Sequence, residues 1–430
     1  MVPGIYISVP FCRSKCSYCN FASGVFGQAL YGKYVERLLE DIRQAEATAA
    51  EMGGQFDRTA DTVYLGGGSP TLLEPDQVKA IFTALRETFT FAPEPEITVE
   101  CAPGTLAPAM LEALLQCGVN RASLGVQSFV DEETRAVGRL HTRAAARDDI
   151  RRLRAAGVCN LNVDLIAGLP HQTAQSWAFS LDEVIAAEAP HVSVYMLEVD
   201  QDSRLGKEVM AGGRRYHAHF VPDDGLTADL YLQACERLEA AGICQYEISN
   251  FARPARESRH NLKYWTRQPY LGFGLDAHSF LPVRKRASGT SRESAPEASK
   301  FQICDLPSGP DCGLPSHSHR AASPCPDAAE AVRFATADSL EDYLAAVPRL
   351  LTQVSPGAAR EECFFLGLRL NRGVELHELA RECGLPVQLG AILAELQRDG
   401  LIEYDREREV VRLSQRGRLL SNEVFARFLA

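Results

Sequence analysis

From residue 4 to about 245 the chain alternates short apolar segments with amphipathic ones, and no other feature restricts its fold as strongly. The strands read as Ile5–Val9, Thr62–Gly66, Ile97–Cys101, Ala122–Gln127, Asn160–Ile166 and Val192–Val199. Between them helical patterns run over about Leu30–Ala50, Pro75–Phe89, Pro108–Cys117, Thr142–Ala156, Ala174–Ala187 and Thr227–Ala241. Near-continuous apolar strands separated by helices predict a parallel sheet whose outer face is covered. Six such units fit an α/β fold, a partial (βα)6 barrel. In parallel barrels the chemistry sits at the C-terminal ends of the strands.

The chemically informative residues fall at those ends. After the first strand come Phe11-Cys12-Arg13-Ser14-Lys15-Cys16-Ser17-Tyr18-Cys19. Three thiolates at this spacing can hold three irons of a [4Fe–4S] cluster and leave the fourth iron open to a small molecule. A structural zinc site is the competing reading. Zinc usually takes four ligands as two separated pairs, and no fourth ligand stands nearby in the sequence. Gly66-Gly67-Gly68-Ser69-Pro70-Thr71 follows the second strand, where glycines let the backbone approach a ligand. Glu100 closes the third strand, Gln127 the fourth, and Asp164 lies in the fifth. Arg139 follows the fourth strand and is placed to meet a carboxylate. A buried polar group costs free energy unless partnered, so these four bind either a ligand or one another.

At 430 residues the chain is long enough for one large domain and a smaller one. Its hydrophobic content of 46% fits a globular protein, and no apolar run approaches the roughly 20 residues of a membrane span. The opening Met1-Val2-Pro3-Gly4-Ile5-Tyr6 runs straight into a strand, so no signal peptide is expected. Thirteen cysteines without a leader point to a reducing cytoplasm. The net charge of -11 argues against non-specific nucleic-acid binding.

Four segments are expected: a barrel over 1–250, a connection over 251–283, a low-complexity insertion over 284–331, and a C-terminal domain over 335–430. The insertion is rich in Ser, Pro, Ala and Arg and has too few large apolar residues to order itself. Its Cys304, Cys312, Cys325, His317 and His319 read as incidental rather than as a second metal site. Order is expected to return at Ser339 with a helix through Leu351. Helices then follow at about Ala358–Leu370, Leu376–Cys383 and Val387–Asp399, with a hairpin of Ile402–Tyr404 and Val410–Leu413 and a last helix. This order predicts an α+β winged-helix-like domain. From Ser355 onward 11 Arg face 12 acidic residues with no Lys, which favours packing or protein contact over DNA.

Together these segments resemble the HemN/HemW group of radical S-adenosylmethionine (SAM) proteins. The resemblance is carried by Tyr6-Ile7-Ser8-Val9-Pro10-Phe11-Cys12, the glycine run, Val99-Glu100-Cys101-Ala102-Pro103, Gly125-Val126-Gln127-Ser128-Phe129 and Val163-Asp164 through Gly168-Leu169-Pro170. It covers residues 4–280 and, more loosely, 336–430. It implies a radical SAM partial (βα)6 TIM-like barrel followed by a HemN-type C-terminal domain. It also implies a [4Fe–4S] cluster on Cys12, Cys16 and Cys19, whose open iron takes the amino and carboxylate groups of SAM. By position Tyr6, Gly67, Gly68, Ser69, Glu100, Gln127, Arg139 and Asp164 match SAM contacts of the group. Ser69 stands where Thr is usual. Tyr18 matches a contact to a second SAM, where Phe is usual.

Three features separate the two branches of the group and favour the haem chaperones. Asn20 and Phe21 follow Cys19, where the oxygen-independent coproporphyrinogen III oxidases carry a further cysteine at Cys-x-Cys spacing. Only eleven residues precede Cys12, whereas the oxidases have a long N-terminal extension. His260-Asn261-Leu262-Lys263-Tyr264-Trp265 matches the chaperones' HNxxYW string, which makes His260 the candidate haem contact, because imidazole ligates haem iron. A core histidine is the competing reading. The group's GxGPGAHS turn appears as Gly272-Phe273-Gly274-Leu275-Asp276-Ala277-His278-Ser279, with Leu275-Asp276 replacing Pro-Gly. The implied function is delivery of haem to respiratory and other haem proteins. The alternative is radical oxidative decarboxylation of coproporphyrinogen III propionates, and a radical SAM enzyme acting on RNA fits the acidic charge poorly. The implied partners are haem, haem-accepting proteins including membrane respiratory enzymes, and an electron donor for the cluster, with no nucleic acid. A cytoplasmic location with transient membrane contact, and a homodimer, are compatible with this reading.

Overall fold

Six parallel strands form the centre of the molecule: β1 (Gly4–Val9), β2 (Thr59–Gly67), β3 (Thr90–Cys101), β4 (Arg121–Gln127), β5 (Asn160–Ala167) and β6 (His191–Met196). The computed structural model describes residues 1–283, 329–386 and 388–428, so the five Cys and His residues of the insertion lie outside the described residues. Successive strand residues point to opposite faces. On the outer face Ile5, Ile7, Val63, Leu65, Val99, Leu124, Val163 and Val194 are fully buried. Helices Ala29–Arg43, Pro75–Thr88, Pro108–Gln116, Arg143–Ala155, Ala174–Ala186 and Asp224–Ala240 supply the cover, close to the predicted spans. The alternate positions Tyr6, Ser8, Tyr64, Glu100, Ser123, Asn162, Asp164 and Ser193 face inward. The strands thus alternate apolar outside with polar inside, and the polar side lines a cavity.

The sheet does not close. Tyr270–Phe273 pairs parallel with β1, and His278–Pro282, Ala331–Ala335 and Leu350–Val354 continue that edge antiparallel. Asn250–Ala252 and Cys244–Gln245 extend the β6 edge antiparallel, making twelve strands in all. Residues 345–351 depart from the expected helix of Ser339 through Leu351. A short helix, Leu340–Leu344, ends before Pro348, and the chain then pairs as a strand. Proline has no backbone N–H and biases the residue before it to extended conformations, so the helix cannot continue there.

The C-terminal module has the predicted order of elements. Helices Pro356–Leu368, Leu376–Glu382 and Leu389–Arg398 pack with the small sheet Val374–Glu375, Val410–Leu413 and Ile402–Asp405. Its core gathers Phe364, Leu368, Leu396, Val411, Val424 and Phe428, and Ile248 of the barrel edge joins it. Arg369 reaches Glu247 and lies 4.1 Å over the Trp265 ring. Glu362 accepts from Arg267 Nε at 2.9 Å and also from Arg333. Among the described residues no helix is long and apolar enough to cross a membrane.

Glu362 is therefore the hinge pin between the module and the sheet edge. Glu362→Ala leaves two arginines without their shared acceptor and is expected to lower stability by about 3 kcal/mol. Urea unfolding of the whole chain measures this; an unchanged midpoint would mean that the pair contributes nothing to docking.

Candidate functional site

The loop that leaves β1 is held at several points. Gly24 N–H donates to Pro10 O at 2.9 Å and Cys12 N–H to Gly24 O at 2.8 Å, so the loop returns on itself. Lys15 Nζ donates to the carbonyls of Phe21 and Ser23 at 3.1 and 2.9 Å. Phe11 is fully buried, its ring stacked 3.8 Å from that of Tyr31. Outside the loop, Ser17 N–H donates to Val137 O, and Leu205 N–H, from helix Arg204–Ala211, donates to Ser17 O. Cys12, Cys16 and Cys19 are half-buried and line one cavity of about 950 Å³ at the C-terminal ends of the strands.

The glycine run lies against this loop. Gly68 N–H donates to Val9 O at 2.7 Å and Ser69 N–H to Phe11 O at 2.8 Å. A Cβ on Gly68 would sit 2.6 Å from Phe11 O and 2.9 Å from Val9 O, so only glycine permits the approach. Gly67 N–H and the Tyr64 hydroxyl donate to the two oxygens of Glu100 at 3.0 and 2.9 Å. Burial, then repulsion from Asp164, pushes the Glu100 carboxyl up to about 7. Asp164 accepts from Asn162 Nδ2 at 2.7 Å and Ser123 Oγ at 3.2 Å, and burial pushes its carboxyl up as well. Arg139 donates to the Tyr18 hydroxyl at 3.1 and 3.3 Å. Gln127 adopts φ +68°, and its buried Oε1 has no hydrogen-bond partner among the described residues.

Of the residues singled out in the sequence, all but Tyr6 and His260 line this one cavity. The donor set fits a cluster with SAM beside it. Three thiols offer soft ligands, while a guanidinium, two carboxylates, an unpartnered amide oxygen and a glycine backbone suit a ligand that is anionic at one group and cationic at others. Tyr6 lies one layer deeper, its ring 6.1 Å from that of Tyr64.

His260, the expected haem contact, does not line the cavity and is enclosed by protein. It sits at the opposite end of the barrel, where the strands begin, with Nδ1 at 2.9 Å from Thr62 Oγ1 and Nε2 at 2.9 Å from Tyr264 Oη. Its own N–H donates to Glu96 at 2.9 Å, and the residue is 1% exposed. Both ring nitrogens lie at hydrogen-bond distance from a hydroxyl, and the ring is enclosed. Burial, then the charge of Lys263, holds its pKa down to about 3.

Several cavity residues escaped the sequence reading. Tyr64 holds Glu100, and Asn162 joins Ser123, Asp164, Ser193 and His191 in one network. Arg121 is 1% exposed and its Nε has no partner among the described residues. Leu419 to Glu423 of the C-terminal module also line the cavity. The polar alternation Asn162-x-Asp164 was a usable signal for the strand residues; nothing local marks the contribution of the module.

Residues 6–184 match the radical SAM superfamily, and residues 354–420 match the HemN C-terminal domain. Over 427 residues the chain is 30% identical to the heme chaperone HemW of Bacillus subtilis, covering 99% of this chain and 98% of that protein. The chain belongs to the HemW family. Its identity to HemW of Lactococcus lactis is 29% over 430 residues, covering 99% of this chain and 96% of that protein. The coproporphyrinogen III oxidase HemN of Escherichia coli superposes with a TM-score of 0.75 at 21% identity, covering 99% of this chain and 90% of that one. That likeness shows the shared fold. Membership of the radical SAM superfamily implies a [4Fe–4S] cluster and SAM.

Two outcomes are expected. Gly68→Ala pushes the glycine run off the cluster loop and lowers the iron bound per chain after anaerobic reconstitution; full iron content would show that the loop tolerates the shift. In the unfolded chain His260 titrates near 6.5, so stability is lost as pH falls from there toward 3. His260→Gln should reduce that slope in urea midpoints taken between pH 7 and 4, and an unchanged slope would contradict the assignment.

Proposed function

We propose that this chain is a haem chaperone, holding a [4Fe–4S] cluster on Cys12, Cys16 and Cys19 with SAM beside it, and passing haem to acceptor proteins. The carrying observation is the single cavity that gathers these thiols with the glycine run, Glu100, Gln127, Arg139 and Asp164. Near full-length identity to HemW proteins supports the chaperone reading. So does Phe21, which is 66% exposed on the cavity rim where the oxidase branch carries a cysteine.

The bound cluster supplies an electron and a Lewis-acidic iron. The chain's own residues orient and enclose. Arg139, braced by Tyr18, offers a cation to a carboxylate. Glu100, pinned by Tyr64 and Gly67, and Asp164, held by Asn162 and Ser123, present negative charge to an ammonium or sulfonium group. Gln127 offers its free amide oxygen. Leu419 to Glu423 wall the cavity on the module side and limit the entry of water. The partners on this reading are haem, haem-accepting proteins such as membrane respiratory enzymes, and an electron donor.

The deciding experiment is anaerobic. Reconstituted protein is titrated with haem in one tube and given coproporphyrinogen III, SAM and a reductant in another. Stoichiometric haem binding without decarboxylated product is expected; product over many turnovers would overturn the chaperone reading. Replacing Cys16 by Ala should abolish the iron–sulfur absorbance of the reconstituted protein. Because Glu100 must ionise to attract a cationic group, SAM affinity is expected to fall as pH drops below about 7, by up to about tenfold per unit. Glu100→Gln should weaken binding and flatten that profile; a wild-type affinity independent of pH would exclude the role.

A further inference from the structure

The C-terminal module holds two cysteines that the site does not use. Cys363 lies on helix Pro356–Leu368, and Cys383 caps the C-terminal end of helix Leu376–Glu382. Their sulfurs stand 2.7 Å apart although the residues are 20 positions apart in the chain. Among the described residues no other two cysteines are in such contact. Both are free thiols and half-buried, so a small reagent can reach them. A disulfide needs about 2.0 Å between its sulfurs, so the pair needs only a small further approach.

The surroundings suit thiol exchange. Burial, then contact with Cys383, pushes the Cys363 thiol up to about 12. Cys363 therefore stays protonated, and Cys383 is left as the sulfur that attacks first, because the thiolate is the nucleophile. Arg267 lies close enough for its charge to favour a thiolate on Cys363, and its buried Nη2 has no hydrogen-bond partner among the described residues. Both cysteines pack against the module core, which includes Phe364, Leu368 and Leu379 and carries Leu420 at its edge. Leu420 lines the cavity, and Glu362, next to Cys363, takes Arg267 and Arg333 from the barrel side. A bond between the two helices would brace the segment that docks the module and supports the cavity wall.

We propose that Cys363 and Cys383 form a reversible disulfide that clamps the C-terminal module when a low-molecular-weight disulfide, such as oxidised glutathione, accumulates. The Cys383 thiolate attacks one sulfur of the glutathione disulfide and releases one glutathione thiolate. Cys363 then gives up its proton and attacks the Cys383 sulfur of the mixed disulfide, which releases the second glutathione. Two protein thiols lose two electrons and two protons, and one disulfide becomes two thiols, so no other reactant is consumed. In a reducing compartment the pair rests as thiols, and disulfides formed there are usually transient and redox-sensing. The clamp acts on the module whatever ligand the cavity holds.

The test uses the full-length chain with its cluster reconstituted, kept anaerobic in buffers of graded reduced and oxidised glutathione. Free thiols are blocked with N-ethylmaleimide, and the tryptic digest is read by mass spectrometry. Trypsin cuts after Arg369, Arg372 and Arg381, so the two cysteines fall on different peptides. Those peptides should be joined in the oxidising buffers and separate again with dithiothreitol, with iron per chain unchanged. Closing the loop should raise the melting temperature by about 5 °C. Cys363→Ser should stop at glutathione on Cys383 and lose that rise, while Cys383→Ser should leave Cys363 unmodified. The wild-type chain alone decides the pairing should a variant fail to fold. Separate alkylation of both cysteines at every ratio, or glutathione left on Cys383 in the wild type, would overturn the proposal. So would a joined pair with an unchanged melting temperature, because nothing would then be clamped.

Discussion

The close approach of β1 and β2 is the constraint on which the site depends. Their parallel register sets Ser8 beside Gly66 and Val9 beside Gly67, and the next residues of both strands turn into the cavity together. Gly68 then donates to Val9 and Ser69 to Phe11, so the cluster loop and the glycine run form one backbone unit. No side chain fits between them. Main-chain hydrogen bonds fix the backbone of the loop, and side chains such as Lys15 and Tyr64 hold the loop carbonyls and Glu100.

Around that cradle the inner face of the sheet carries charge that a closed apolar barrel would exclude. Glu100 and Asp164 repel each other, and burial pushes both carboxyls up. Each survives because the fold supplies donors: Tyr64 and Gly67 for one, Asn162 and Ser123 for the other. Gln127 and Arg121 keep buried polar atoms without partners among the described residues. Unmet hydrogen-bonding capacity in a buried cavity is what a polar ligand exploits, because its arrival settles desolvation already incurred.

His260 shows how one string of residues can carry two meanings. An imidazole among aromatics suits haem, and it equally suits a core junction. Here Thr62, Glu96 and Tyr264 take every polar atom the residue offers at the base of β2 and β3. Lys263, three residues further along the same helix, pairs with Asp61 and the carbonyl of Val2, which ties this helix to the starts of β1 and β2. His171, His217 and His219 lie together at the other end, beside helix Arg204–Ala211.

The sequence by itself determined the class of fold, the six strand–helix units, the three candidate thiols and most of the cavity wall. These are local properties: the strand period decides which residues share a face, cysteine spacing decides which thiols share a loop, and strand ends decide where chemistry lies. Tertiary structure alone decided what depends on distant contacts. Pairing with Ala331–Ala335 made a strand of Leu350–Val354, where the end of a helix was expected, burial enclosed His260, and docking of the C-terminal module brought Leu419 to Glu423 to the cavity. Each joins residues far apart in the chain, where the free energy comes from burial and hydrogen bonding between elements, and no local pattern records which elements will meet.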